Sequence, residues 1–213
     1  MSRPRWIASS VVVALAGAGV GASLVGVSSA ASGPAGVANS ATAPPIPPAT
    51  LTATRITQQP HTLKPGTTVS ASSLGQRVFV DRRHGFALAA TDEADYPAET
   101  TNGGATWKTF GPVLHEDAAQ GPLVVTEVGA LNRRTIYFYG ASQSVDVTND
   151  GGKQWWRTFS EELSLAVVPG DTGRLVWITQ EGYGSGNNAV TWPYESTDGG
   201  KIWHYTTQLG GGF

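Results

Sequence analysis

The sequence predicts an all-β fold built from three copies of one structural unit. The first observation is an eight-residue stretch that begins at Thr100, Thr148 and Ser196, so that its starts are spaced 48 residues apart. A fixed spacing in this range is typical of repeat architectures. The second is composition, because 27 glycines and seven tryptophans among 213 residues are typical of a chain with many turns and aromatic-rich strands. The third is that no sustained helical periodicity follows residue 76.

Each copy of the eight-residue stretch predicts a tight turn between two strands. The Asn-Gly or Asp-Gly pair supplies positive φ angles, and the hydroxyl and Asx side chains can brace backbone N–H groups. The tryptophan opens the returning strand and has a large apolar surface to bury. The predicted structural residues are Thr100, Asn102, Gly104 and Trp107 in the first copy, Thr148, Asp150, Gly152 and Trp155 in the second, and Ser196, Asp198, Gly200 and Trp203 in the third.

This stretch resembles the Asp-box, also called the BNR repeat, of bacterial sialidases, sortilin-type receptor domains and propellers similar to photosystem II assembly factors. The first copy matches the family pattern S/T-x-D/N-x-G-x-T-W at every specified position, whereas Gln154 and Ile202 replace the threonine in the other two. The resemblance covers residues 76–207. It implies a partial β-propeller of three four-stranded blades, in which each box is a structural turn.

The N-terminal residues 1–31 predict a signal peptide. Arg3 and Arg5 precede an apolar run over residues 7–27, and Ser28-Ser29-Ala30 supplies the small residues that a signal peptidase reads. The run is also long enough to span a bilayer, so an uncleaved anchor is the alternative and would be the chain's membrane contact. In both cases we expect a secreted or extracytoplasmic protein, with association to the cell surface or cell wall as one form of it.

Residues 32–75 predict a disordered linker rich in Ala, Pro, Thr and Ser, with Pro44-Pro45-Ile46-Pro47-Pro48 at its centre. The stretch has little bulky apolar surface to offset the entropy of ordering, and its proline cluster favours an extended, semi-stiff chain. The pattern leaves open whether residues 51–69 contribute one strand to the folded part.

Residues 76–213 predict the three repeated units, with limits near 76–112, 113–160 and 161–213. Runs rich in Val, Ile, Phe, Tyr and Trp predict four strands in each unit. The expected strands are 77–81, 85–90, 96–101 and 107–110, then 123–129, 135–140, 144–148 and 155–160, and finally 163–168, 174–180, 189–196 and 202–208. Closed propellers have about four to eight blades, so we expect self-association that completes the ring, ends covered by the linker, or a longer parent chain.

The sequence carries no recognisable catalytic signature. The absence of cysteine excludes disulfides, iron–sulfur clusters, thiolate zinc sites and a cysteine nucleophile, and the four histidines lack metal-ligand spacing. A net charge of −2 does not favour nucleic-acid binding. We therefore expect no catalytic, cofactor-binding or metal-binding residues, and no cofactor.

The expected function is a non-catalytic binding or scaffold module with a protein or glycan ligand. The alternative is a degenerate or fragmentary sialidase-type glycoside hydrolase, and a third reading is assistance in assembling a membrane complex. Turns of one kind gather Arg82, Arg83, Arg133 and Arg134, whereas the remaining loops gather acidic residues, so we expect two edges of opposite charge. The candidate binding face on the acidic side comprises Asp92, Asp95, His115, Glu116, Asp117 and Tyr183, and its ligand is expected to be cationic, a divalent metal or a neutral glycan.

Overall fold

The computed structural model describes residues 45–91, 94–116, 127–140, 143–170, 173–182 and 188–207. Over these residues the chain forms three antiparallel sheets, which confirms the predicted all-β class. Residues 1–31, the predicted signal peptide, and residues 32–44 of the predicted linker lie outside the described part. No helix among the described residues is both long and apolar enough to cross a membrane.

The strands are numbered in chain order. Three short strands and a 3-10 helix come first: β1 (Thr50–Thr52), β2 (Thr54–Ile56), β3 (Thr68–Val69) and the helix Ala71–Ser73. Sheet 1 follows with β4 (Leu74–Phe79), β5 (Gly85–Ala90), β6 (Ala94–Thr100), β7 (Trp107–Thr109) and the short β8 (His115–Glu116). Sheet 2 contains β9 (Glu127–Ala130), β10 (Ile136–Tyr139), β11 (Ser144–Thr148) and β12 (Trp155–Phe159). Sheet 3 contains β13 (Leu163–Pro169), β14 (Leu175–Gly182), β15 (Ala189–Ser196) and β16 (Ile202–Tyr205).

In each sheet the four successive strands lie side by side in sequence order. Each of the twelve strands predicted within the units has a counterpart among the described residues, and the limits that can be compared agree to within a few residues. Residues 123–126 and 208 of the predicted strands lie outside the described part. Three local features were not predicted. In sheet 1, β4 has a shift in register against β5 between Leu74 and Arg77. Strand β8 pairs with the start of β6, and β13 has a shift in register between Ser164 and Ala166 that leaves Leu165 as an extra residue.

The structure corrects the prediction of a disordered linker over residues 50–75. The helix Ala71–Ser73 and the start of β4 at Leu74 fall in that range, and residues 50–69 contain three strands in a segment that we call the strap. Strand β1 pairs with β16 of sheet 3, β2 with β12 of sheet 2, and β3 with β7 of sheet 1. The strap therefore pairs with the last strand of every sheet. It meets sheet 3 first, then sheet 2 and then sheet 1, and the chain continues from it into the first strands of sheet 1. Composition does not reveal this pairing, because the strap is stabilised mainly by backbone hydrogen bonds to the edges of other strands. Any residue except proline can both donate and accept such bonds.

One apolar side chain from each strap strand also packs into a core. Leu51 of β1 packs against the core of sheets 2 and 3, Ile56 of β2 against the core of sheets 1 and 2, and Val69 of β3 against the outward side of sheet 1. The alternation of these residues with exposed neighbours is the two-residue period of a strand with one buried side. The strap thus contributes both hydrogen bonds and buried apolar surface.

Sheet 2 is the middle layer of the stack, and both of its faces are buried. Ile136 and Phe138 lie in the core shared with sheet 1, whereas the intervening Tyr137 lies in the core shared with sheet 3. Every residue of β11 is buried. Because alternate residues of a strand point to opposite faces, a run of buried residues in a central strand follows from burial on both sides.

The outward side of sheet 1 is closed by the chain itself. Its centre consists of small side chains packed around Trp107, and Val69 and Leu74 pack against them. The Phe79 ring meets the Trp107 ring edge to face, with centroids 5.9 Å apart. This arrangement leaves Trp107 only 1% exposed, although the described residues place no further sheet on that side.

Candidate functional site

The three repeated turns share one hydrogen-bonding pattern. In the first, the Thr100 hydroxyl accepts a hydrogen bond from the Gly104 N–H at 3.0 Å and donates to Asn102 Oδ1 at 2.9 Å. In the second, the Thr148 hydroxyl does the same with Gly152 N–H and Asp150 Oδ1, both at 2.9 Å. In the third, Ser196 accepts from Gly200 N–H at 2.9 Å and donates to Asp198 Oδ1 at 2.8 Å.

Each turn also holds its tryptophan. The indole N–H groups of Trp107, Trp155 and Trp203 donate to the carbonyl oxygens of Gly104, Gly152 and Gly200, at 3.1 Å in all three cases. The three rings are buried, with exposed fractions of 1%, 1% and 0%. The polar groups of the repeated stretch are therefore used largely within their own turns, where they fix local geometry.

The second and third turns pack closely on the preceding sheet. Gly200 has a positive φ of 84°, and a Cβ atom at this position would lie 2.6 Å from a Val147 methyl group of sheet 2. The Asn149 side chain donates to the Asp198 carbonyl oxygen at 3.0 Å, which joins the second turn to the third. These contacts require glycine for both backbone conformation and space.

The repeated turns lie beside the turns that join the first and second strands of each sheet. Gly103 N–H donates to the Arg83 carbonyl oxygen at 2.9 Å, and Gly151 N–H donates to that of Arg134 at 3.0 Å. We call this side of the stack the turn edge. It exposes basic side chains from neighbouring turns, namely Arg82, Arg83, Arg133, Arg134 and Lys153.

Acidic side chains on the turn edge are engaged locally. Asp81 Oδ1 accepts hydrogen bonds from the Arg83 and His84 N–H groups at 2.8 Å, and these bonds lower the pKa of Asp81 to about 2. His84 Nδ1 lies 2.8 Å from Asp81 Oδ2. Among the described residues, the arginines of the adjacent turns make no ion pair with a carboxylate, so the edge retains positive charge.

The opposite side of the stack, which we call the acidic edge, brings together part of the predicted binding face. His115 Nδ1 lies 3.8 Å from Asp95 Oδ2, because pairing of β8 with β6 places the two residues opposite each other. Burial raises the pKa of Asp95, and the nearby His115 opposes this rise. Glu116 belongs to β8, whereas Asp92, Asp117 and Tyr183 lie outside the described residues.

Further acidic residues lie along the acidic edge near the core of sheets 2 and 3. Glu162 is only 4% exposed, and its Oε2 atom makes no hydrogen bond. Burial raises the pKa of Glu162, and the charges of Glu181 and Glu161 raise it further. The hydroxyl of Tyr194, whose pKa Glu162 helps to raise, is also buried without a hydrogen bond.

The sequence analysis did not identify a buried ion pair between sheets 1 and 2. Arg157 donates from Nε to Asp146 Oδ1 and from Nη2 to Asp146 Oδ2, both at 2.6 Å, and also donates to the Leu114 carbonyl oxygen of the chain following sheet 1. Asp146 is fully buried. Burial raises the pKa of Asp146, and the guanidinium opposes that rise. The signal that could have revealed the pair is Asp146 itself, a lone carboxylate between two valines in a predicted strand.

A groove of about 250 Å³ lies between the strap and the second repeated turn. The strap contributes Arg55 and Gln58, and the other wall contains Pro112, Gly152 and Lys153. Its two cationic side chains continue the positive charge of the turn edge. Within the described part of the chain, no three His, Asp or Glu side chains are grouped closely enough to hold a metal ion.

Comparison with known proteins does not assign this arrangement to a family. No family model matches the chain, and no curated protein sequence matches it.

Proposed function

We propose that the three sheets are blades of a partial β-propeller of the Asp-box type. Each sheet contains a four-stranded antiparallel meander, and the repeated turn joins the third and fourth strands of the meander every time. The first strand of sheet 1, β4, contacts the first strand of sheet 2, β9, and β13 of sheet 3 contacts β10. This order of strands and this face-to-face packing support the proposal, because propeller blades are four-stranded sheets arranged around a common centre.

The function that the surface supports best is non-catalytic binding by a secreted or surface-tethered scaffold module. The observation that carries this proposal is the concentration of exposed Arg82, Arg83, Arg133 and Arg134 on one edge, held by rigid turns. Their acidic neighbours are occupied by backbone N–H groups or by His84. A patch of unneutralised arginines attracts acidic partners and raises the rate of their association.

The groove beside the second repeated turn gives this surface a place for a single acidic group. Arg55 and Lys153 line it from opposite walls, and proline and glycine residues form much of the rest. A carboxylate- or sulfate-bearing glycan, or an acidic protein segment, fits this combination of charge and shape. The acidic edge remains the expected surface for cationic or neutral ligands.

The test is binding of the purified protein to an immobilised acidic polysaccharide, measured over a range of salt concentrations. The variant Arg82→Ser/Arg133→Ser removes two turn-edge charges, and Lys64→Ser/Lys108→Ser removes two charges from the strap and β7. Exposed ion contacts contribute modestly, so the arginine variant should weaken binding roughly two- to thirtyfold and the lysine variant much less. Equal weakening by both variants would show that net charge, and not this edge, determines binding.

The same preparation distinguishes the hydrolase alternative. Aryl sialosides and other aryl glycosides release a fluorescent or coloured product when they are cleaved. We expect no turnover above that of the buffer, and turnover that co-purifies with the protein would replace the binding proposal with a glycosidase.

A further inference from the structure

The side of sheet 3 that points away from sheet 2 carries apolar side chains that are mostly half-buried, and it is open in the sense that no sheet of the described residues covers it. Alternate residues of β13, β14 and β15 pair across it, including Val168 with Val176 and Ile178 with Pro193, whereas Trp177 and Tyr194 pair on the buried side. Ile202 of β16 lies on the same side, since the neighbouring Trp203 is in the core. We call this surface the outer face of sheet 3, and its apolar residues are Leu163, Ala166, Val168, Val176, Ile178, Pro193 and Ile202.

Large apolar side chains are exposed at the margins of this face. Leu163 is 51% exposed and Ile202 is 39% exposed, and the extra residue Leu165 is 49% exposed, whereas Val176 is only 4% exposed. The three exposed residues account for half of the six large apolar side chains that are exposed among the described residues. Apolar residues gathered on one face mark an interaction site more often than scattered apolar residues do.

The two ends of the stack differ, and the difference restricts what can cover the open face. At the sheet 1 end, Trp107 and its alanine neighbours are covered by Val69, Leu74 and Phe79. Head-to-tail stacking of two copies would require the open face to displace this cover. On a second copy, the outer face of sheet 3 is not covered in this way by any described segment, so a two-fold, self-complementary contact is favoured.

The polar groups of the outer face suit such a contact. Arg174 and Glu195 form an ion pair across it, with Nη1 and Oε2 3.1 Å apart, and their side chains are 32% and 18% exposed. Glu195 is opposite the exposed His204 on the next strand. One arginine and one carboxylate leave the face almost neutral at pH 7, so two identical faces do not repel each other.

From these observations we propose that the outer face of sheet 3 is a two-fold interface between copies of this protein. The five strands have three, four, eight, eight and seven residues, so at about 3.3 Å per residue and about 4.8 Å between strands they cover roughly 475 Å² of flat area. Two such faces bury about 950 Å², below the usual range of specific interfaces. Interfaces of this size are typical of weak, transient association, so we expect a reversible dimer.

Sedimentation velocity of the purified protein from about 1 to 200 μM tests the proposal. The wild-type protein should pass from monomer to dimer, and Leu163→Lys/Ile202→Lys should raise the Kd at least about tenfold, because apolar contacts are replaced by like charges. Phe159→Lys is the matched control, since Phe159 is 48% exposed on sheet 2 and should leave the dimer unchanged. Thermal unfolding monitored by circular dichroism verifies that all three proteins are folded.

Crosslinking then tests the symmetry. Because the chain contains no cysteine, a single Ile178→Cys substitution places one thiol at the centre of each face. A short bismaleimide should join two copies of this variant and fail to join copies that carry Phe159→Cys. The proposal is overturned by a monomer at all concentrations, by a dimer that withstands both lysines, or by equal crosslinking at the two positions.

Discussion

Replacement of Asp146 with alanine is expected to lower the free energy of unfolding by about 3–5 kcal/mol, as for other buried ion pairs that lose one partner. The carboxylate is fully buried and accepts two hydrogen bonds of 2.6 Å from Arg157. Its removal leaves the guanidinium, whose side chain is only 17% exposed, with the Leu114 carbonyl oxygen and the Phe159 ring as its remaining described partners. The uncompensated charge accounts for most of the loss.

Urea unfolding followed by tryptophan fluorescence measures this loss directly, and thermal unfolding provides a second value. For a folded part of this size, about 2–4 °C is lost per kcal/mol, so the melting temperature should fall by about 6–20 °C. The matched variant is Asp146→Val/Arg157→Met, which removes both charges and should recover at least half of the loss. A loss below about 1 kcal/mol in Asp146→Ala, or a double variant less stable than the single one, would refute the reasoning.

Three further perturbations have effects that the structure predicts. Gly200→Ala should lower the free energy of unfolding by roughly 2–5 kcal/mol, because the new Cβ meets Val147 at a residue whose φ is positive. Gly173 has a similar φ but open space around it, so Gly173→Ala should lower the free energy of unfolding by only about 1–2 kcal/mol. Trp155→Ala should cost about 3–5 kcal/mol, since its ring is buried between sheets 1 and 2. Glu162→Gln should stabilise the protein at neutral pH. The pKa of Glu162 in the folded protein is raised above its ordinary 4.5, so the carboxyl group favours folding at pH values below 4.5 and loses that contribution as the pH rises through the raised pKa.

Urea titrations measure all three effects, and each has an outcome that contradicts it. Equal losses for the two glycine variants would contradict the close packing of the third turn on sheet 2. A loss below about 1 kcal/mol for Trp155→Ala would mean that its ring is not a core residue. A difference between Glu162→Gln and wild type that stays constant from pH 4 to pH 7.5 would contradict the raised pKa.

The strands of the three units could be predicted because their signals are local. A turn with Asp-Gly or Asn-Gly and a following tryptophan sets the end of one strand and the start of the next. The intervening runs are rich in β-branched and aromatic residues, and their limits follow from those turns.

The strap could not be predicted in the same way, because its information is not local. Its strands have three, three and two residues, and Thr50 pairs with His204, more than 150 residues along the chain. These segments form strands only because they pair with the last strands of the three sheets. The spaced apolar residues Leu51, Ile56 and Val69 are the one sequence signal that points to ordering.

The chemistry of the charged groups was predictable only in outline. The segregation of arginines and carboxylates follows from strand order, since each class of turn lies on one edge. By contrast, the Asp146–Arg157 pair depends on the register of β11 and β12, which places the two residues opposite each other across the sheet. A charged residue in a predicted strand ordinarily indicates a solvent-facing position, and burial on both faces of sheet 2 is what reverses that expectation here.

Native-state amide hydrogen exchange of the strap tests most directly whether this segment joins the three sheets. The account predicts slow exchange at the N–H of Ala53, which donates to the Lys201 carbonyl oxygen at 2.8 Å, and at that of Gly66, which donates to the Thr109 carbonyl oxygen at 2.6 Å. Their protection should approach that of amides in β11 at the centre of the stack. Exchange at these strap amides at the rate of an unstructured peptide, while β11 stays protected, would contradict the account.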